Sequence, residues 1–154
     1  MAAVNLHPDF KEFFASLNAN GVQYLLIGGY AVIHYGYHRM TSDLDIWIGV
    51  GDDNARRVSL VLQEWGGFPA AEVPPSLFDG VGKMVTFGRN PVGIDILTRP
   101  AGVEFQSCFK RRLVVDWDGV KISLISLADL RANKLASGRE KDQADLKYLP
   151  PASE

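Results

Sequence analysis

The chain has 154 residues, 47% of them hydrophobic, enough for one domain with a buried core. Its 22% of charged residues and formal net charge of −2 match an ordinary globular protein and exclude bulk attraction to a polyanion, leaving only a local basic patch as a route to nucleic acid. The single cysteine, Cys108, excludes an intramolecular disulfide, and the N-terminus carries neither a basic leader nor a long apolar run, so a cytoplasmic protein is expected. The longest apolar stretches, such as 22–27 and 31–33, fall far short of the roughly 20 residues that span a bilayer, and no membrane association is expected.

Residues 9–19 place Phe10, Phe13, Phe14 and Leu17 at helical spacing between Pro8 and the stop signal Asn20-Gly21. They predict an amphipathic opening helix whose aromatic stripe is core. Residues 22–27 form a short apolar run that ends at Gly28-Gly29, a buried strand entering a glycine turn, and 30–37 predict a short helix. Residues 43–48 predict a second strand, with Asp43, Asp45 and Trp47 facing one way and Leu44, Ile46 and Ile48 the other. One face is then core and the other carries two acids.

Val58, Leu60, Val61, Leu62 and Trp65 give 52–65 a helical pattern, with Asp52 or Asp53 available as an N-cap and Gly66-Gly67 as the stop. Segment 68–82 holds Pro69, Pro74, Pro75 and several glycines and predicts a long loop, a candidate border of an active site. Residues 83–88 and 92–98 alternate like strands and, joined by Arg89-Asn90-Pro91, predict an antiparallel hairpin with Asp95 in its second arm. A second ribbon is expected where 112–117 and 120–123 flank Asp118-Gly119, a pair that tolerates positive φ. Helical periodicity over 127–149, broken at Ser137-Gly138, predicts two short helices before Pro150-Pro151. Together these elements predict one α/β (α+β) domain over 1–154, with its core at about 22–98 and C-terminal helices at about 126–149. Its sheet is mixed and partly antiparallel, holding the acids on one face with helices covering the other.

The unit that carries chemistry is Gly28-Gly29, thirteen residues, Asp43-Leu44-Asp45, and later Asp95 within Gly93-Ile94-Asp95-Ile96-Leu97. A strand sets Asp43 and Asp45 on one face roughly 6.5–7 Å apart, within reach of one hard cation. Several acids with no matching base are costly on a dry sheet face, since like charges repel and desolvation penalises each ion; a divalent metal such as Mg²⁺ removes the conflict. Glycines ending the first strand let backbone N–H groups approach phosphate oxygens. The combination describes metal-assisted phosphoryl chemistry.

Gly28-Gly29 followed by Asp43-Leu44-Asp45-Ile46 and a later strand acid resembles the polymerase-β-like nucleotidyltransferase superfamily, over about 22–97. Arg39-x-Thr41-x-Asp43-Leu44-Asp45 is similar to the branch holding the AbiEii-type toxins, their small relatives and some antibiotic nucleotidyltransferases. The run from Lys134 through Arg139, Lys141, Asp142 and Asp145 to Leu146 also resembles a Lys-rich helical motif of that group. The resemblance implies the nucleotidyltransferase fold and transfer of NMP from an NTP to a hydroxyl or other acceptor. Asp43 and Asp45 would hold one or two Mg²⁺ ions, and Asp95 would complete the site and activate the acceptor. Gly28, Gly29, Arg39, Thr41 and Lys134 would bind the nucleotide. Tyr30 stands where such proteins commonly carry a serine, which leaves that contact to backbone donors.

Other readings stand beside these. Asp43 and Asp45 alone fit a solvated strand face, and Asp95 in a separate apolar strand is what favours a metal site. Arg39 reads equally well as a surface partner of an acid, and Lys134, Arg139, Lys141, Asp142 and Asp145 as solvated helix pairs. His34 and His38 have no third ligand nearby for zinc, and Cys108 reads as a buried structural thiol. A non-catalytic nucleotide-sensing or partner-binding module, such as a toxin–antitoxin component, is the rival to an enzyme, with an antibiotic nucleotidyltransferase as a further alternative. The acceptor, whether tRNA, protein or small molecule, is not identified by the sequence, nor is a partner subunit or homodimer. For tRNA, Arg56-Arg57, Lys110-Arg111-Arg112 and 134–141 are the candidate basic stretches.

Overall fold

The structure, a computed structural model, describes residues 6–41, 43–88, 92–98 and 102–152. Helix α1 (Pro8–Ala19) starts with proline in its first turn, where the missing N–H costs nothing, and His7 Nδ1 accepts from Asp9 N at 3.1 Å. Strand β1 (Tyr24–Ile27) runs into α2 (Gly28–His34), so the paired glycines open the helix rather than precede it. Strand β2 (Leu44–Ile48) leads to α3 (Asp52–Gly66), capped by Gly51. Asp52 and Asp53, expected as cap candidates, lie inside its first turn, where their charge complements the helix dipole. Gly67, at φ +68°, ends α3 in the left-handed conformation.

The hairpin of β3 (Met84–Phe87) and β4 (Ile94–Leu97) forms as expected; its turn, Arg89-Asn90-Pro91, lies outside the described residues. Helix α4 (Phe105–Lys110) has no counterpart among the expected elements. Its six residues are too few for periodicity to reveal, and Glu104, accepting from Gln106 N and Ser107 N, is its main local signal. Strands β5 (Leu113–Trp117) and β6 (Val120–Leu124) turn through Asp118 and Gly119, both at positive φ. Helices α5 (Leu127–Ser137) and α6 (Glu140–Tyr148) are separated at Gly138. No helix among the described residues is long and apolar enough to cross a membrane.

The six strands form one mixed sheet in the order β3-β4-β2-β1-β6-β5. β1 is antiparallel to β2 and parallel to β6, while β2 is parallel to β4. Register decides which side chains share a face. Tyr24 pairs with Ile48, Leu26 with Ile46, Leu44 with Ile94 and Ile46 with Ile96, which gives an apolar face. Phe14 packs against Tyr24 at 5.8 Å and Phe13 against Trp65 of α3 at 4.9 Å, so α1 and α3 cover that face. Phe10, Phe13, Phe14 and Leu17 are all fully buried, each worth about 1.5–3 kcal/mol of apolar transfer.

Segment 68–82 covers this same face at the β3 edge. Val73 and Phe78 are buried, Phe68 and Phe78 pack against Phe87, and Ser59 Oγ donates to Val73 O. It therefore serves as core cover and does not line the acid-bearing cleft, contrary to expectation, because its apolar residues outweigh its prolines and glycines. The opposite face is not wholly polar either. Trp47, which shares it with Asp45, is 2% exposed beneath Phe105 of α4.

Candidate active site

Pairing across β3, β4, β2 and β1 sets Thr86, Asp95, Asp45 and Ile27 in one row on the face away from α1 and α3. Asp45 and Asp95 meet in that row. Thr86 Oγ1 donates to Asp95 Oδ1 at 2.7 Å, and protonated Asp45 donates to Asp95. Burial, then the charge of Asp95 and this hydrogen bond, push the Asp45 carboxyl up to about 7; Lys141 opposes the shift and Asp43 adds to it. A carboxyl half-protonated at neutral pH is what two acids sharing a partly dry site require.

Three glycines make this geometry possible. A side chain at Gly28, which has φ +72°, would collide with the Asp45 carboxylate, and one at Gly29 with the Thr41 hydroxyl. A Cβ at Gly93 would lie 2.6 Å from Asp43 Oδ1. Gly28, Gly29 and Gly93 thus leave space for Asp45, Thr41 and Asp43 respectively. For Gly93 the sequence carries a signal in its place two residues before Asp95.

Asp43 sits apart from the coupled pair. It lines the same lobe as Asp45 and Asp95, with its carboxylate packed over Gly93. Among the described residues no three acidic, histidine or cysteine side chains are gathered closely enough to hold a metal ion. The donor chemistry of the Asp45–Asp95 pair nonetheless fits a hard divalent cation, since its oxygens are partly buried, mutually repelling when ionised, and have no basic group at ion-pair distance among the described residues.

The two cations expected at the nucleotide, Arg39 and Lys134, line the smaller and the larger lobe of the cleft respectively, and both are held in ion pairs. Arg39 donates through Nε and Nη2 to the two oxygens of Asp145, at 2.7 and 3.0 Å. Lys134 Nζ lies 3.0 Å from Asp145 Oδ2 and 3.1 Å from Asp142 Oδ1, and Arg139 Nε lies 2.8 Å from Asp142 Oδ2. Lys134 is 3% exposed and the two aspartates 1% each, so the centre of this chain of alternating charge is buried and is not a solvated helix face, while Arg139 at its end is exposed. The network ties the segment at Arg39 to α5 and α6. Although burial alone would raise it, donors from Arg139, Ser137 and Lys134 hold Asp142 far below the ordinary carboxylate range.

Lys141, on α6, faces the acids; Arg139 also lines the larger lobe, but it is held by Asp142. Lys141 is exposed and lines both lobes of the cleft, and no carboxylate lies within ion-pair distance of it among the described residues. Nothing in the sequence separates it from the neighbouring structural charges; the topology does. The two lobes, about 410 and 230 Å³, share Gly29, Asp45, Asp95 and Lys141. The smaller also holds Arg39, Met40, Thr41 and Asp43.

The profile of a family described as "Nucleotidyltransferase of unknown function" (DUF6036) matches residues 5–149. The chain belongs to this nucleotidyltransferase family. Among solved structures it is similar to an antigenic nucleotidyltransferase-like protein from Paracoccidioides brasiliensis, at 20% identity and a TM-score of 0.57, over 94% of this chain and 75% of that one. It is also similar to a candidate nucleotidyltransferase from Thermotoga maritima, at 14% identity and a TM-score of 0.60, over 90% of this chain and 88% of that one. At these identities the likeness establishes the nucleotidyltransferase-like fold. No curated protein matches the sequence.

The remaining sequence candidates are accounted for locally. His34 is buried against Tyr35 and Trp117, and burial lowers its pKa; His38 is exposed, so the two do not form a metal pair. Cys108 is fully buried and its thiol is pushed up to about 11, chiefly by burial, as a structural thiol should be. Arg56 pairs with Asp53, Arg111 with Asp129 at 2.8 Å, and Arg112 lies over the Phe109 ring at 3.9 Å.

Proposed function

We propose that this protein transfers NMP from a nucleoside triphosphate to an acceptor hydroxyl, with Mg²⁺ held by Asp45 and Asp95 and Asp43 lining the same lobe. The observation that carries the reading is the coupled Asp45–Asp95 pair, set against Gly28-Gly29 and facing Lys141 across a two-lobed cleft. A divalent ion bound there supplies neutralising charge for the transferring phosphoryl group and the leaving pyrophosphate. The acceptor oxygen attacks the α-phosphorus, the bond from that phosphorus to the bridging oxygen breaks, and pyrophosphate departs with the electron pair. Asp95, fixed by Thr86, takes the acceptor proton. Backbone N–H groups at Gly28 and Gly29 meet phosphate oxygens. Lys141, not Arg39 or Lys134, supplies the mobile positive charge on the triphosphate, because the latter two are held by Asp145 and Asp142.

Calorimetric titration with ATP, GTP, CTP and UTP, with and without Mg²⁺, tests this reading. Metal-dependent binding lost in an Asp43→Asn/Asp45→Asn double variant supports it; failure of all four triphosphates to bind would leave the fold serving a nucleotide-free interaction role. Lys141→Met is expected to weaken binding of the Mg-complexed triphosphate about 10- to 100-fold, the worth of a charge-assisted contact, with an unchanged melting temperature because the side chain is exposed.

A further inference from the structure

The next rank of residues on the acid-bearing face, one strand repeat from the carboxylates, is Met84, Leu97, Trp47 and Leu25 in register. This rank is apolar and divided. Trp47 is covered by Phe105 of α4, whereas Leu97 is half-buried and Met84 is 63% exposed. Leu97 and Met84 form a wall of the 410 Å³ lobe, which Ile27 of β1 and Asn133 and Ser137 of α5 also line. That volume lies within the roughly 300–1,000 Å³ of small-molecule sites. A polar row of carboxylates followed, roughly 7 Å along the strands, by an open apolar rank matches the division of a nucleotide into phosphate and base.

We propose that the 410 Å³ lobe is the nucleoside subsite of the donor: the base packs on the Met84 thioether and Leu97, and the ribose crosses toward Asp95, with α5 contributing the rest of the lining. This rests on the donor-binding reading above. It assigns the smaller, polar lobe beyond the carboxylate pair to the acceptor side of the reaction. Methionine suits the task, since its polarisable sulfur packs favourably on flat rings and adapts to more than one.

The test is binding of Mg-complexed ATP, GTP, CTP and UTP, and separately of Mg-complexed tripolyphosphate, to wild type, Met84→Ser and Met84→Leu. Met84 is exposed on an edge strand, so both variants keep the fold, checked by their melting temperatures. Met84→Ser is expected to weaken the nucleotides about tenfold and leave tripolyphosphate unchanged, while Met84→Leu stays within about threefold of wild type. Nucleotide binding unaffected by Met84→Ser would overturn the subsite and leave donor binding standing. If neither a nucleotide nor tripolyphosphate binds wild type, the donor reading itself fails and the subsite with it.

Discussion

Asp45→Asn is expected to lower nucleotidyl transfer by at least about 10²–10³-fold while making the metal-free protein more stable at pH 8. The first effect follows from removing a preorganised charge at the reacting phosphoryl group, which typically costs that much. It is read as pyrophosphate release with an acceptor found by screening. The second follows from the Asp45 carboxyl, pushed up to about 7 by burial and by Asp95 and its hydrogen bond, against an ordinary value of 3.8. A folded-state pKa raised above the unfolded one gives stability that is complete below about pH 4 and is lost as pH rises through about 7. About three pKa units correspond to on the order of 4 kcal/mol at most, an upper bound for a coupled pair. Asparagine carries no such charge, so the variant's melting temperature should lack this decline and exceed that of wild type at pH 8. Mg²⁺ should raise the wild-type melting temperature at pH 8 far more than at pH 5, and should barely move the variant. Parallel pH–stability curves for wild type and Asp45→Asn would count against a protonated Asp45–Asp95 pair.

Much of the fold was legible because its signals are local. The aromatic stripe of α1, the alternation in β3 and β4, and Asp118-Gly119 each act within a few residues, and each element forms where its pattern lies. The two strand acids that meet, Asp45 and Asp95, were also legible, since β2 and β4 need only lie side by side in parallel. Three features were not. α4 is too short to show a period, and it turns the position of Trp47 from an open face into core. Segment 68–82 has the composition of a loop, yet Val73 and Phe78 bury it under the sheet face away from the site. Lys134 and Lys141 lie seven residues apart in a charged run, and only the break at Gly138 and the placement of Asp142 and Asp145 bury the first and aim the second at the carboxylates.

Lys134→Met is expected to destabilise the fold by about 3–5 kcal/mol, measured by urea unfolding at pH 7, although position 134 would keep its volume and helix propensity. Forming a buried ion pair is near neutral overall, but removing one partner leaves the other's charge desolvated. Here one ammonium serves two carboxylates, each 1% exposed, at 3.0 and 3.1 Å. Arg39 and Arg139 still hold the far sides of Asp145 and Asp142, which keeps the cost within that range. The depressed Asp142 pKa contributes stability that is present above the ordinary carboxylate value and lost as pH falls below it. Without the Lys134 donor that depression shrinks, so the variant gains less stability than wild type as pH rises from 2 to 5. A double-mutant cycle with Asp142→Asn should return a coupling of at least about 1 kcal/mol, the mark of directly interacting groups. Because the network anchors α6, which carries Lys141, Lys134→Met should also weaken triphosphate binding under conditions where the variant is fully folded. Lys134→Met with wild-type stability would mean that the two arginines alone hold α6 in place.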